Sequence, residues 1–365
     1  MSFENTFRGR RVFVTGHTGF KGSWLAHWLL KLGAEVGGYS LGRVSEPSNF
    51  DILGLANQVR HYEHDIRDRA ALARALDEFK PEIVFHLAAQ ALVRQSYASP
   101  ADTFEVNTMG MVNLLECVRE RPWIKAAVLI TSDKAYRNDE WCWGYRETDA
   151  LGGHDPYSGS KSCAELVAHS YYHSFFQQGA TRLATTRAGN VIGGGDWAAD
   201  RIVPDCVKAW TRGESVLVRS PHATRPWQHV LEPLSGYLWL GAKLLGEQPR
   251  FNGEAFNFGP DANVNQTVGQ LIDAMAKRWP AVRWQVPEGQ LPQAHEATLL
   301  KLSCDKALFH LAWRATLLFE ETVEFTVDWY RAWHERPASV PEVAGAQIDR
   351  YSKLAAERGI AWSLR

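Results

Sequence analysis

The sequence predicts an α/β protein, a doubly wound parallel sheet followed by a smaller α/β substrate-binding lobe. Three observations predict it. Short, continuously apolar runs alternate with helix-patterned stretches through the first half of the chain. A glycine-rich turn joins the first of these runs to the first helix. After about residue 188 the alternation fades into Gly-, Pro-, Arg- and Trp-bearing segments with isolated helices.

The apolar runs are Arg11–Thr15, Glu35–Tyr39, Ile83–Leu87, Ala126–Ile130 and Leu183–Thr186. Each is short enough for a strand, and each lacks the apolar/polar alternation of a strand with one wet face, so both faces must be covered. The stretches between them, Ser23–Leu32, Arg69–Phe79, Thr103–Arg121 and Tyr157–Gln178, carry helical periodicity. Beyond them, Phe256–Pro260 reads as one more strand leading into a turn, and Val268–Trp279 and Glu320–His334 read as helices. The expected division is a cofactor domain over residues 1–190, with a return near 228–258, and a lobe over 191–365.

At 365 residues the chain can bury a sizeable core. Its 40 Lys plus Arg against 41 Asp plus Glu leave no charge excess that would argue for nucleic acid or a membrane surface. Cys117, Cys142, Cys163, Cys206 and Cys304 form no CxxC pair and no zinc-like spacing, so no metal site is expected. The N-terminus lacks the charged and apolar regions of a leader, and no run approaches the length of a membrane span. A cytoplasmic protein is the expectation. The 15 Trp are read as packing residues.

Directly after the first strand comes Gly16-His17-Thr18-Gly19-Phe20-Lys21-Gly22, and a helix follows. Such a turn lets backbone approach a pyrophosphate and aims helix N-terminal N–H groups at it. Its spacing is GxxGxxG, and glycines also serve ordinary tight turns. The second strand ends in Tyr39-Ser40-Leu41-Gly42-Arg43, with no acid for a ribose and with Glu46 displaced. Arg43 could accommodate a 2′-phosphate, so these residues leave NAD and NADP both open. Asp65-Ile66 and Leu87-Ala88-Ala89-Gln90 fall at the carboxyl ends of later strands, where ligands of such sheets bind.

Downstream, Ile130-Thr131-Ser132-Asp133-Lys134 precedes a helix that opens on Tyr157-Ser158-Gly159-Ser160-Lys161. Tyr157 and Lys161 share a helix face, and an ammonium beside the phenol favours its charged form. A phenol of unperturbed pKa about 10 then becomes a base for oxidising an alcohol, with Ser132 to orient it. Taken alone, a Tyr and a Lys one turn apart are also what an amphipathic helix can carry.

Together these residues resemble the extended short-chain dehydrogenase/reductases. The matches are Gly16, Gly19 and Gly22, Asp65-Ile66, Leu87 to Gln90, Asn107, Ser132 with Tyr157 and Lys161, and Asn190, spanning roughly residues 10 to 260. The resemblance implies a Rossmann-type fold, NAD as cofactor, and Thr18, Phe20, Lys21 and Thr131 among the cofactor-binding residues. Within the family the chain looks like a nucleotide-diphosphate-sugar 4,6-dehydratase of the CDP-sugar group. That group has Ser-Asp-Lys, here Ser132-Asp133-Lys134, where the dTDP-sugar enzymes have Thr-Asp-Glu. Gly16–Gly22 and Asp196-Trp197 share its look. The implied substrate is CDP-glucose, the implied assembly a homodimer or homotetramer, and the implied setting deoxysugar synthesis for surface polysaccharides.

On this resemblance Tyr157 takes the proton of the sugar 4-hydroxyl, Lys134 in its neutral form removes the C5 proton, and protonated Asp133 donates to the departing 6-hydroxyl. In a regular strand Asp133 faces away from Ser132 and Lys134, so the backbone is expected to leave strand geometry near Ser132. A solvated Lys134 and a capping Asp133 are the plainer alternatives. Arg201, Arg219 and Arg225 are the candidate diphosphate ligands, since a guanidinium binds such a group in a fork. Arg225-Pro226-Trp227-Gln228-His229-Val230 matches the family's substrate segment. Arg94, Asn190 and His229 complete the substrate set, although His86 and His229 are equally the kind of histidine that packs in a core. The rival readings are a nucleotide-sugar 4-epimerase and a dinucleotide-binding regulator without turnover.

Overall fold

The structure is a computed structural model, and it describes all residues except 1, 200, 219, 247–248, 262–263, 280–282, 287–299 and 365. Six strands come from the first half of the chain: β1 (Arg11–Thr15), β2 (Glu35–Ser40), β3 (Arg60–Glu63), β4 (Ile83–His86), β5 (Ala126–Ile130) and β6 (Arg182–Ala188). Three pairs of two-residue strands follow. They are β7 (Val191–Ile192) with β10 (Gln228–His229), β8 (Val216–Leu217) with β13 (Trp284–Gln285), and β9 (Thr224–Arg225) with β12 (Gln266–Thr267). The remaining strand, β11 (Ala255–Phe258), returns to β6 and completes a seven-stranded sheet ordered β11-β6-β5-β4-β1-β2-β3.

Every pairing in that sheet is parallel, and successive residues of one strand enter opposite halves of the core. Val12, Val14, Phe85 and Val128 pack on one face with helices Phe20–Lys31 and Leu231–Leu245. Phe13, Val84, Ala127 and Leu129 pack on the other with helices Arg69–Phe79, Gly110–Arg119 and Pro156–Tyr171. The unbroken apolar runs of the sequence have this cause. Trp24, Trp28, Trp239, Trp313, Trp329 and Trp362 are fully buried in the core.

Two features differ from the sequence expectation. The stretch expected as one helix over Thr103–Arg121 is Pro100–Phe104, a π-helical turn Glu105–Met109, and Gly110–Arg119. Tyr157–Gln178 likewise passes into a π-helical turn at Tyr172–Phe176. The chain's last helices do not stay with the lobe. Helix Val340–Glu357 lies on the first helix, with Trp28 edge-on to Tyr351 at 5.7 Å, and Trp362 stacks on Phe3 at 4.7 Å.

Candidate active site

The turn after β1 is held open by its glycines. Gly16 has φ +73°, and a Cβ there would lie 2.7 Å from the Ala88 backbone nitrogen. One on Gly22 would lie 2.1 Å from the Gly16 carbonyl oxygen. No side chain caps the N-terminus of helix Phe20–Lys31, whose N-cap is Gly19, so its first N–H groups face the turn as a phosphate cradle requires. Thr18 ties this turn to the end of β2, its hydroxyl 2.7 Å from that of Ser40. The residues therefore fit a dinucleotide. Arg43 is already engaged, with Asp51 at 2.9 Å and Glu63 at 3.6 Å.

The neighbouring loop after β4 is built on the same principle. Ala88 N–H donates to the Thr15 hydroxyl at 3.2 Å, and that hydroxyl meets His86 Nδ1 at 2.7 Å. Asn107 is aimed inward from the π-helical turn. Its Oδ1 accepts from the Gln90 N–H at 2.8 Å, and its Nδ2 donates to the Gln90 carbonyl and to the Ser160 hydroxyl, at 3.0 and 2.9 Å. Asn107 thus fastens the loop after β4 to the helix that carries Lys161. Asp65 is turned to Arg67, whose hydrogen bonds hold its carboxyl below the usual range, while Ile66 is buried beneath Gly110.

β5 ends at Ile130, and the backbone leaves strand geometry where the sequence required it. Ser132 is still extended, at φ −160° and ψ 155°, and Asp133–Ala135 form a 3-10 turn. Ser132 caps that turn by accepting the Lys134 N–H at 3.2 Å and donates to Asp133 Oδ1 at 3.0 Å. Asp133 is 4 % exposed and lies against Gly189, where a Cβ would come within 2.7 Å of its Oδ2. Opposite, Asp155 caps helix Pro156–Tyr171 by accepting the Ser158 N–H at 3.0 Å, with Pro156 at the first position. Tyr157 and Lys161 are both buried on its inner face.

Burial is the dominant influence on this pair. It raises the Tyr157 phenol to about 12, against the Ser132 hydrogen bond, which acts to lower it; Asp133 adds to the rise and Arg201 opposes it. It lowers Lys161 to about 8, assisted by the Lys21 charge and resisted by Glu165. Lys21 is also lowered to about 8, by burial and then by Arg201, with Asp133 and Asp196 opposing. Sequence reasoning expected the Lys161 charge to govern the phenol; desolvation outweighs it in this structure.

The lobe contributes unevenly. Asn190 follows β6, its carbonyl accepting the Gln228 N–H at 3.3 Å. Arg225, half-buried on β9, bonds the Thr224 carbonyl at 2.8 Å. Their chain neighbours Gly189 and Pro226 line a shallow cleft together with Gln228, Gly259, Pro260 and Lys301. Arg201 pairs with Asp196 at 2.7 Å, and its charge reaches Tyr157. Arg94 is an exposed side chain on helix Val93–Ala98, and Arg219 lies outside the described residues. His229 needs a correction: it is 0 % exposed, edge-on to Trp24 and Phe325, and burial lowers it to about 3, so it packs the core and has no surface to offer a substrate. Sequence reasoning missed Glu165, although Tyr157, Lys161 and Glu165 at i, i+4 and i+8 share one helix face.

A glycine-lined phosphate turn and a Ser/Tyr/Lys set along the carboxyl ends of one parallel sheet define the class, an extended short-chain dehydrogenase/reductase. The model of the GDP-mannose 4,6 dehydratase family matches residues 13–326, and the chain belongs to that family. It is 49% identical over 336 residues to a CDP-glucose 4,6-dehydratase of Salmonella typhimurium, covering 90% of this chain and 93% of that one. A dTDP-glucose 4,6-dehydratase of Streptomyces antibioticus is 29% identical over 90% of this chain and 96% of its own. Among solved structures, the fold is shared with a dTDP-glucose 4,6-dehydratase of Bacillus anthracis in complex with NAD, at TM-score 0.72 and 20% identity over 90% and 98% of the two chains. A UDP-glucose 4-epimerase of Stenotrophomonas maltophila with bound NAD superposes at TM-score 0.78 with 22% identity over 89% and 99%.

Proposed function

We propose that this protein catalyses the NAD-dependent dehydration of CDP-D-glucose to CDP-4-dehydro-6-deoxy-D-glucose. The observation that carries the reading is the 49% identity to the Salmonella typhimurium CDP-glucose 4,6-dehydratase, which extends over nearly the whole of both chains. The open turn at Gly16, Gly19 and Gly22 would hold NAD, with Asp65-Ile66, Leu87 to Gln90, Thr131 and Lys161 along its length. Bound there, NAD would supply the group that accepts hydride from C4 and returns it to C6, ending oxidised, and its positive nicotinamide would favour the charged phenol.

Tyr157 takes the proton of the 4-hydroxyl, oriented by Ser132 and supported by the Lys161 ammonium. With C4 a carbonyl, the C5 proton becomes acidic. Lys134 removes it, and Asp133 gives a proton to the departing 6-hydroxyl, so that water leaves; as hydride returns to C6, Lys134 gives its proton back to C5. The 3-10 turn supports these two roles, because it breaks the alternation that would hold Asp133 on the far side of the strand. Asn190 and Arg225 beside the cleft would take the diphosphate.

Exposed Phe104, Met109, Leu166 and Phe175 on helical segments 100–119 and 156–176 support a homodimer or homotetramer. Light scattering should give at least twice the mass of one chain, and a monomer at micromolar concentration would refute the pairing. A substrate assembled from CTP goes with a cytoplasmic location, and the near balance of charge favours a small molecule over nucleic acid. The function is tested by incubating the purified protein with CDP-, dTDP-, UDP- and GDP-hexoses and analysing the products by mass spectrometry and NMR. Loss of one water from CDP-glucose is expected. Inversion at C4 with no mass change would make it an epimerase, and bound NAD without turnover a regulator.

A further inference from the structure

Behind the reaction centre lies a buried ion pair that the mechanism above does not use. Glu165 stands one helical turn beyond Lys161, and Arg187 comes from β6. Each side chain is only 4 % exposed. Glu165 Oε1 accepts from Arg187 Nε at 2.8 Å and from the Thr131 hydroxyl, and Oε2 accepts from Arg187 Nη2 at 2.9 Å and the Thr185 hydroxyl at 3.0 Å. Arg187 also donates to the Glu147 carbonyl at 3.1 Å and lies over the Tyr136 ring at 4.7 Å. Thr131 immediately precedes Ser132, and Tyr136 ends the 3-10 turn that Ser132 begins. The pair therefore grips both ends of the turn bearing Ser132, Asp133 and Lys134, from the helix that bears Tyr157 and Lys161.

A buried ion pair is poor evidence for stability, since packed apolar residues of the same volume often do as well. Its place suggests another reason. Lys161 is faced by Lys21 from the first turn of helix Phe20–Lys31, by His86 from β4 and by Glu165 from its own helix. His86 is kept neutral by burial. Glu165 is thus the anion that offsets Lys21 at Lys161. Arg187, Thr131 and Thr185 are what Glu165 itself faces, and Ser132, Asp133, Arg201 and Asp155 are what Tyr157 faces.

We infer that Glu165 and Arg187 are positioning residues for the oxidation at C4, fixing the turn that carries Ser132 against the helix that carries Tyr157 and Lys161. The inference rests on the proposed dehydratase reading. The pair touches no substrate; it acts through the turn. Loosening it should lower kcat far more than it changes KM, because Ser132 is displaced from Tyr157 while the groups that bind substrate stay in place.

The test is kcat and KM, each determined separately, for the NAD-loaded enzyme with CDP-glucose. Glu165→Gln leaves Arg187 unpaired and can unfold the chain, so the decisive variant is the double one, Glu165→Gln with Arg187→Met, which buries no lone charge. Its folding is checked by circular dichroism. Expected are a KM within about threefold of wild type and a kcat lowered by about 100-fold, the cost of a small misplacement at a reaction centre. Glu165→Asp, which keeps the ion pair, should restore most of kcat. A folded double variant with wild-type kcat would overturn the inference and leave the pair a packing element. A wild-type enzyme that does not dehydrate CDP-glucose would overturn the function instead, and the control shows that separately.

Discussion

Tyr157 in the free protein is a poor base, raised to about 12 by burial, and its partner Lys161 is lowered to about 8. A phenol held in that state acts only when positive charge is brought to it. Tyr157→Phe should therefore abolish proton transfer, lowering kcat by about 10²–10⁴, while NAD and CDP-glucose still bind; binding is read by fluorescence titration and kcat from the ketosugar formed. Unchanged turnover would remove Tyr157 from the mechanism. Asp133 offers a second test. Its Oδ2 lies where a Cβ on Gly189 would come within 2.7 Å, so Gly189→Ala should push the carboxylate aside and lower kcat with NAD affinity intact. A variant as active as wild type would mean that Asp133 has no exacting position. The shared face of Tyr157 and Lys161 was legible from their i, i+4 spacing, whereas Asp133 and Lys134 were reached through the family resemblance. The state of the phenol was not, because it depends on desolvation, which only the packed structure sets. His229 was misjudged for the same reason: Pro226 and Gln228 of its motif line the cleft, while its own ring faces Trp24 and Phe325.

At the scale of elements, the turns matter more than the strands. The end of β5 shows how far pattern reasoning reaches. A regular strand would put Asp133 opposite Ser132 and Lys134, and the chain leaves strand geometry there in a 3-10 turn capped by Ser132. Helix Arg69–Phe79 was legible to the residue because Asp68 caps it, accepting the Ala71 N–H at 2.9 Å. The π-helical turn at Glu105–Met109 was not legible, since its cause is the long-range bonding of Asn107 to Gln90 and Ser160. Helix Leu231–Leu245 escaped as well. Almost all of it is buried, so it lacks the polar face that gives a surface helix its period. For the phosphate turn the expectation is strict. Gly22→Ala puts a Cβ within 2.1 Å of the Gly16 carbonyl oxygen, a clash with backbone that should cost about 1–3 kcal/mol. It should appear as a lower melting temperature together with weaker NAD binding, and wild-type values for both would show that the turn is looser than described.

The whole molecule should be sensitive to mild acid. His17, His86 and His229 are buried, and burial, first among the causes for each, lowers them to about 3. Unfolding frees them to take up protons below about 6.5, so the unfolded state gains as pH falls through that value. Each contributes up to about 1.4 kcal/mol per pH unit. Glu232 works the other way. Burial raises its carboxyl to about 7, against hydrogen bonds from Leu317 and Thr316, so its share of stability grows as pH falls from 7 toward 4.5. Three groups outweigh one, and denaturant midpoints should drop between pH 7 and 5.5; an equal or higher midpoint at 5.5 would contradict the assigned burial. The doubly wound sheet was legible in the sequence because two buried faces leave unbroken apolar strands. The docking of Val340–Glu357 against the first helix was not, because an amphipathic helix shows that it has a partner without showing which.

In the proposed reaction one pocket oxidises C4, eliminates water across C5 and C6, and returns the same hydride to C6. The decisive substrate is CDP-glucose carrying deuterium at C4, with the product examined by NMR. Deuterium recovered in the C6 methyl group of the 4-keto sugar is the expected result. Deuterium retained at C4, or lost to water with an unlabelled methyl group, would contradict the account.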